Sequence, residues 1–365
     1  MANLIRLTLN NFRNYEYLNW LPHSQKIVLY GENGCGKTNL LEALSLLVPG
    51  KGLRRSRLEE LPRLNSHGGW GVIGQFAQEE EPVEIATGCI EQNRKQFLIN
   101  GAPVRAQSEI NQYLSAIWLT PQMDRLFLEG ASGRRRFLDR LIISTETYHI
   151  REVAAYEKNL SHRNRLLSQN VYDESWLSAI EESMARHAVA ISAARLTFID
   201  QINEIQVIEG KFPEAFIQLQ CPIAERLKHE PALMVEDFLR QQWKQNRIKD
   251  QAIGATTIGV HRSDVLFSDR KTQIPASLAS TGQQKALLVG IILKLTELNQ
   301  IRHTHQPMIL LDEPLVHLDN IHRKTLLQTL KKLDTLTILT GTDKDPFSDW
   351  SGVGEFVQIY DGKLK

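Results

Sequence analysis

Eight consecutive residues, Gly31-Glu32-Asn33-Gly34-Cys35-Gly36-Lys37-Thr38, match the pattern GxxxxGK[ST] in full. Glycines in such a run let the backbone curl until successive N–H groups point inward at phosphate oxygens. Lys37 supplies a point charge for β- and γ-phosphates, and the Thr38 hydroxyl is the expected Mg²⁺ ligand. Cys35 takes a variable position of the pattern, and no redox role is assigned to it. Far along the chain, Met308-Ile309-Leu310-Leu311 is followed by two carboxylates, Asp312 and Glu313. A buried strand that ends in acids delivers them at its C-terminal edge, where nucleotides bind in open α/β sheets. Asp312 would hold Mg²⁺, commonly through water, and Glu313 would polarise the attacking water as general base. Together the two motifs predict a nucleoside triphosphate site.

A third element, Ser280-Thr281-Gly282-Gln283-Gln284-Lys285, opens a helical run over 287–295. Small residues at a helix start leave free N–H groups and a hydroxyl, which serve as a plain N-cap or as an anion site. Behind a phosphate loop and ahead of Asp312-Glu313, this turn resembles the signature motif of ABC-family ATPases. In that family Ser280, Gly282 and Gln283 would reach the nucleotide of a second subunit. The resemblance therefore implies a head-to-tail dimer that encloses two ATP molecules. It also places Gln122 of Leu119-Thr120-Pro121-Gln122 at the family's Q-loop, with an amide able to reach Mg²⁺ or the water. Asp319 takes the position of the D-loop aspartate. Thr342, in Thr340-Gly341-Thr342-Asp343, takes that of the switch residue near the γ-phosphate.

These residues need elements to position them. Ile5, Leu7 and Leu9 alternate with Arg6, Thr8 and Asn10, which predicts a half-buried strand. A short apolar run, Ile27-Val28-Leu29-Tyr30, stops at Gly31. Leu40, Leu41, Leu44, Leu47 and Val48 then repeat at helical spacing until Pro49-Gly50. Between 70 and 104, alternating runs punctuated by Glu79-Glu80-Glu81-Pro82 and Asn100-Gly101 predict an antiparallel meander. From Arg134 to about Lys249 glycines are few. Phe137, Leu138, Leu141 and Ile142 share a face there, and 188–194 is alanine-rich. No heptad pattern is sustained, so this insertion reads as a compact helical lobe rather than a coiled coil. After Gly254 the α/β character returns with a strand over 308–311, a helix over 320–333, a strand over 336–339 and a hairpin at Asp361-Gly362. The expected fold is α/β: an ABC-type P-loop ATPase lobe over 1–125 and 255–365, built of a mixed sheet plus the antiparallel meander. A mostly helical lobe over 126–254 is inserted into it.

The 365 residues include 43 Lys+Arg and 42 Asp+Glu, a net charge of +1. That balance excludes a protein that coats nucleic acid by bulk charge, so any such binding needs a local basic face. Two clusters could supply one: Lys51, Arg54, Arg55 and Arg57 just past the phosphate-loop helix, and Arg134, Arg135 and Arg136. Both suit DNA phosphate contacts. The alternative for each is a solvated loop or an intramolecular pair, with Glu59, Glu60 or Asp139 as nearby acids. No apolar run approaches the ~18–20 residues that cross a bilayer, and 1–9 carries no signal-like apolar core. Three cysteines, Cys35, Cys89 and Cys221, form no CxxC. The expectation is a reduced cytoplasmic protein without structural zinc or disulfides. The eleven histidines suggest no metal site, His303-Thr304-His305 reading as polar loop.

Asn11-Phe12-Arg13-Asn14-Tyr15 is similar to the N-terminal motif of the RecF family, bacterial recombination-mediator ATPases related to Rad50 and SMC heads. Further matches follow in order. They include Arg134 through Asp139, Tyr156 through Leu160, Arg163-Asn164-Arg165-Leu166-Leu167 and His261-Arg262-Ser263-Asp264. The signature turn, Leu311-Asp312-Glu313, His317-Leu318-Asp319 and Thr340-Gly341-Thr342 complete the series. The chain departs from the family where Val260 and Ser263 interrupt Gly-Pro-His-Arg-Asp-Asp, where Gln122 replaces an acid, and where Pro314 follows Glu313. The resemblance implies an ATP-dependent dimer that clamps gapped or junction DNA, single- and double-stranded. It would load RecA together with RecR and RecO in repair, replication restart and the SOS response. By the same resemblance, Arg13 would touch ATP phosphates, and hydrolysis would be slow and DNA-stimulated. The rival readings are a nucleotide-binding subunit of an ABC transporter, a P-loop GTPase or kinase, and a non-hydrolytic ATP switch. A transporter subunit would need neither the helical insertion nor the basic loops. A GTPase would need an Asn-Lys-x-Asp guanine reader, which the chain lacks.

Overall fold

Leucines at alternate positions build the first strand, β1 (Asn3–Phe12), though Ile5 is not on its inward face. Leu4, Leu7, Leu9 and Phe12 are buried while Ile5 is half-buried. Pairing with the fourth strand shifts register between Leu4 and Arg6, and such a bulge moves the side-chain phase by one residue. The computed structural model describes every residue except 1–2, 67, 79–80, 90–94, 170–172, 207–211 and 303–305. Glu79 and Glu80 of the acidic turn, and His303-Thr304-His305, therefore lie outside the described residues.

From β1 the chain turns through Arg13 and Asn14 into β2 (Tyr15–Trp20), then β3 (Lys26–Tyr30) and helix α1 (Lys37–Leu46). The meander follows as β4 (Trp70–Ala77), β5 (Val83–Cys89), β6 (Gln96–Ile99) and β7 (Ala102–Pro103), and then β8 (Ala116–Leu119). Asn100 at φ 49° and Gly101 at φ 78° make the two-residue turn between β6 and β7. Next come α2 (Ala131–Ile143), α3 (His149–Ser168), α4 (Glu174–Glu204), β9 (Ala215–Gln220), α5 (Pro222–Leu227), α6 (Ala232–Ile253) and β10 (Asp264–Asp269). The chain closes with α7 (Thr281–Ile301), β11 (Met308–Leu311), α8 (Asn320–Lys332), β12 (Thr337–Gly341), β13 (Glu355–Tyr360) and β14 (Lys363–Leu364).

Two compact units result. The first gathers Met1–Asp124, Val207–Glu214 and Ser280–Lys365; the second holds Arg125–Gln206 and Ala215–Ala279. The return to the first unit thus comes at Ser280, not near 255. The correction has a simple cause: β10 pairs antiparallel with β9, from Asp264↔Gln220 to Asp269↔Ala215, and so belongs with the helices. The expected mostly helical lobe over 126–254 also contains a strand, β9, whose alternating Ala215, Ile217 and Leu219 face inward.

In the first unit one six-stranded sheet runs β2-β1-β4-β5-β6-β7, all antiparallel, and a second runs β14-β13-β3-β12-β11-β8. In the second sheet β13, β3, β12, β11 and β8 are parallel, so their C-terminal ends share one edge. Helix α1 buries Leu40, Leu41, Leu44 and Leu46, in one core with Leu7, Leu9, Phe12, Val72 and Phe76 of the antiparallel sheet and Ile27, Leu29, Leu310 and Ile338 of the parallel one. At about 25 cal/mol per Å² of apolar surface, a fully buried leucine contributes roughly 2 kcal/mol, which anchors the phosphate-loop helix from both sides.

In the second unit Arg163 is fully buried. Its Nε donates to Glu181 at 2.9 Å, its Nη1 to Asp250 at 2.7 Å and its Nη2 to the Trp243 carbonyl at 2.9 Å. Asp139 likewise accepts both arms of Arg195 at 2.8 Å. Among the described residues no helix is long and apolar enough to cross a membrane.

Candidate functional site

The phosphate loop lies between the end of β3 and the start of α1. Gly36 caps α1 with φ 116°, a conformation that disfavours a side chain. Space excludes one as well: a Cβ there would sit 2.5 Å from Asn14 Nδ2 and 2.7 Å from the Tyr15 hydroxyl. The β1–β2 turn thus braces the loop. Tyr15 Oη donates to the Gly36 carbonyl at 3.1 Å, Asn14 Nδ2 to the Cys35 carbonyl at 3.1 Å, and Asn39 Nδ2 to Asn14 Oδ1 at 2.7 Å. Burial pushes the Tyr15 phenol up from its ordinary pKa, so it remains a proton donor. Lys37 folds back over the loop, its Nζ donating to the carbonyls of Gly31 at 2.6 Å and Glu32 at 2.9 Å.

Parallel strands bring the acids to the same edge. Thr38 Oγ1 lies 3.0 Å from both carboxylate oxygens of Asp312, and Thr340 Oγ1 donates to Asp312 Oδ1 at 2.8 Å. Two hydroxyls around one buried carboxylate are hard oxygen donors of the kind that suit Mg²⁺, which keeps several waters and takes few protein ligands. Glu313 follows at φ 49° with its backbone held at both ends. Its N–H donates to Thr340 Oγ1 at 2.9 Å, and its carbonyl accepts from Lys285 Nζ at 2.9 Å. Its carboxylate makes no hydrogen bond among the described residues. A cavity of about 180 Å³ opens beside it, lined also by Asn33, Arg323 and Thr342.

Lys285 and Asp124 stand beside the candidate site, and motif spacing gave neither a role. Lys285, on the first turns of α7, is 1% exposed, and its Nζ lies 3.6 Å from Asp124 Oδ2. Burial pushes the Lys285 ammonium down and the Asp124 carboxyl up, with their mutual attraction opposing both shifts. A lysine inside an otherwise apolar helical face was the signal that could have exposed the pair.

The signature residues form a capping box: Ser280 Oγ accepts from Gln283 N at 3.4 Å, and Gln283 Oε1 accepts from Ser280 N at 3.0 Å. Ser280 and Gln283 are exposed, and among the described residues no hydrogen bond ties 280–283 to the phosphate loop. Gly282 approaches the His317 carbonyl so closely that a Cβ would sit 2.7 Å from it, which packs the turn against the loop carrying Asp319. Asp319 caps α8 and accepts from His322 N at 2.9 Å and His322 Nδ1 at 2.7 Å; these bonds hold its carboxyl below the usual range. Thr342 is exposed and donates to Asp343 at 2.9 Å.

Other expected residues fall elsewhere. Arg13 does not point at a free phosphate position. Its Nε and Nη2 donate to Glu42 at 2.8 and 2.7 Å, Nη1 to the Glu60 carbonyl at 2.7 Å, and Nη2 also to Ser56 Oγ. Its structural place is a clamp on α1, because the left-handed turn at Arg13 (φ 54°) aims it at a buried acid. Gln122 is exposed on the 3₁₀ turn Pro121–Arg125, with no hydrogen bond to Asp312, Glu313 or the loop. The basic run 134–136 does not offer three free cations. Arg134 pairs with both oxygens of Asp264 at 2.9 and 2.8 Å, Arg135 donates to the Ser263 carbonyl at 2.6 Å, and Arg136 to Ser132. The acid that binds Arg134 is Asp264, distant in sequence, rather than Asp139. In the other cluster Lys51, Arg55 and Arg57 are exposed and make no ion pair among the described residues, while Arg54 donates to Asn39 Oδ1 at 2.7 Å.

Comparison with known proteins supplies the context. The family described as RecF/RecN/SMC N terminal domain matches residues 3–349. The "DNA replication and repair protein RecF" of Mesorhizobium japonicum is 39% identical over 373 residues, covering 100% of this chain and 97% of that protein. That of Brucella suis is 40% identical over 370 residues, covering 100% of this chain and 96% of that protein. Among solved structures, the "recombination mediator protein RecF-ATPrS in RecFOR pathway" aligns with a TM-score of 0.84 at 23% identity, covering 100% of this chain and 98% of the other. The architecture is therefore the ABC-type ATPase fold of RecF and SMC heads.

Proposed function

The chain belongs to the RecF family of DNA replication and repair proteins, and we propose that it is an ATP-driven clamp on DNA. ATP would sit on Gly31–Thr38, with Lys37 released from the Gly31 and Glu32 carbonyls to meet the β- and γ-phosphates. Mg²⁺, held by Thr38 and through water by Asp312, would neutralise charge between the β- and γ-phosphate oxygens. Glu313 would take the proton of the attacking water, its backbone already fixed by Thr340 and Lys285.

The observation that carries the dimer is the separation of two half-sites on one unit. Ser280 and Gln283 stand exposed with Gly282 half-buried between them against the loop carrying Asp319, and no hydrogen bond joins the three to their own phosphate loop among the described residues. A second copy presenting this turn would complete the nucleotide site, making the complex ATP-dependent. Lys51, Arg55 and Arg57 are the cations left to meet DNA phosphates, and gapped or junction DNA is the substrate proposed. Hydrolysis, slow and stimulated by DNA, would release the clamp. RecR and RecO are the proposed partners, with RecA loading as the outcome in repair, replication restart and the SOS response.

The test is sizing by sedimentation of the Glu313→Gln protein, with and without ATP and with gapped duplex. Removing only the water-activating carboxylate should leave ATP binding intact and accumulate dimer, with DNA co-sedimenting. A monomer in saturating ATP refutes the clamp.

A further inference from the structure

The cavity of about 180 Å³ beside the phosphate loop holds an acid and a base that do not pair with each other. The acid is Glu313. The base is Arg323, in the first turn of α8, whose Nε donates to the Leu315 carbonyl at 3.0 Å. Its two terminal amino groups have no partner among the described residues. Arg323 is the one Lys, Arg or His that lines this cavity among the described residues. Opposite charges in a small, half-dry space attract strongly and would close on each other unless held apart. Here the Leu315 carbonyl tethers the guanidinium, and the bonds from Thr340 and Lys285 pin the Glu313 backbone. The space between them is thus kept open by the fold.

We propose that Arg323 binds the γ-phosphoryl group of ATP, and then the phosphate released from it, in this cavity opposite Glu313. The inference rests on the nucleotide reading above. As water attacks phosphorus, its proton passes to Glu313, the bond from phosphorus to the β–γ bridging oxygen breaks, and ADP departs with that oxygen. Charge on the transferring group is spread over its equatorial oxygens, which a planar guanidinium with two free amino groups can meet bidentately. Thr342, at the switch position, is uncharged and already donates its hydroxyl to Asp343, so Arg323 supplies the cation on that side. Asn33 reaches the same cavity from the phosphate loop and offers an amide to the same group.

The experiment compares Arg323→Ala and Arg323→Lys with the wild-type chain, in ATP affinity, single-turnover hydrolysis and orthovanadate-dependent trapping of Mg·ADP. Losing one preorganised donor to transition-state charge should lower the single-turnover rate of Arg323→Ala about 10²–10³-fold. ATP affinity should change less than about threefold, and vanadate trapping should vanish. Arg323→Lys should recover about tenfold of the rate, because charge returns without the fork. Trapping intact in Arg323→Ala overturns the proposal: with a normal rate Arg323 is idle, and with a reduced rate it serves only to hold the Leu315 loop. Lys37→Ala, measured alongside, separates the two claims. If it binds ATP normally, the nucleotide reading and this inference both fall. If it does not bind while Arg323→Ala behaves as wild type, only the present inference falls.

Discussion

Replacing Arg13 with alanine removes a fork that donates to Glu42 at 2.8 and 2.7 Å. The Glu42 side chain is 1% exposed and that of Arg13 18%, so the acid would be left behind in a dry site. Stripping one partner from a fully buried ion pair costs about 3–5 kcal/mol. Glu42 would retain Ser56 Oγ at 2.8 Å and Arg54 Nη1 at 3.4 Å. With those partners kept and Arg13 partly solvated, about 2 kcal/mol is the expected loss. Chemical denaturation of the nucleotide-free protein measures it directly. Adding Glu42→Gln to Arg13→Ala removes the stranded charge, so the double variant should regain at least about 1 kcal/mol relative to additivity. A ligand role for Arg13 gives the opposite pattern: unchanged stability without nucleotide, and ATP affinity weakened tenfold or more. That pattern refutes the clamp assigned to this residue.

Gly36→Ala must force apart Asn14 and Tyr15, because the new Cβ meets them at 2.5 and 2.7 Å. ATP binding measured by equilibrium titration should fall at least about tenfold, and an unchanged affinity would show that the brace is soft. For Asp139, burial raises the carboxyl pKa, but Arg195 and the His149 hydrogen bond pull it down to about 2. A folded value below the unfolded one stabilises above about pH 4, and that stability is lost as pH falls toward 2. Asp139→Asn should therefore lose to wild type by a margin whose pH-dependent part, roughly 2 kcal/mol, shrinks across that window. A constant margin down to pH 2 in acid unfolding contradicts it. Arg55→Glu should weaken DNA binding and lower the salt slope by about one or more, while Arg134→Ala should lower stability and leave the slope unchanged. Equal slopes in gel retardation for wild type and Arg55→Glu would place Arg55 in solvent.

The placement of the candidate site was legible because each motif sits where a period changes. The apolar run at β3 stops at Gly31 and helical spacing starts after Thr38, while 308–311 ends in paired acids. Parallel pairing of β3, β12 and β11 then brings Thr38, Asp312 and Thr340 within hydrogen-bond reach. Partners that are distant in sequence were not legible. Nothing local marks Glu42 as the acid for Arg13, Asp264 as the acid for Arg134, or Glu313 as the acceptor for Lys285. These pairings depend on tertiary packing, which overrides neighbouring charge. The bulge at Leu4 to Arg6 shifted the face of β1 for the same reason, since register is set by the partner strand. The boundary near 255 moved to Ser280 because β10 finds β9, a pairing that no window of sequence reveals.

The strand order β13-β3-β12 has a consequence for how the protein is made. The strand that carries the phosphate loop is synthesised early, yet both of its neighbours in the sheet come from residues 337–360. On the ribosome, β3 must wait with both hydrogen-bonding edges bare until nearly the whole polypeptide has emerged, whereas Arg125–Gln206 and Ala215–Ala279 can find their contacts sooner. The antiparallel sheet can shelter α1 during that wait, since β1, β2, β4 and β5 all emerge before residue 90. A nascent chain arrested before residue 337 would thus carry a finished helical unit and an unpaired apolar strand, a natural target for chaperones that bind extended segments.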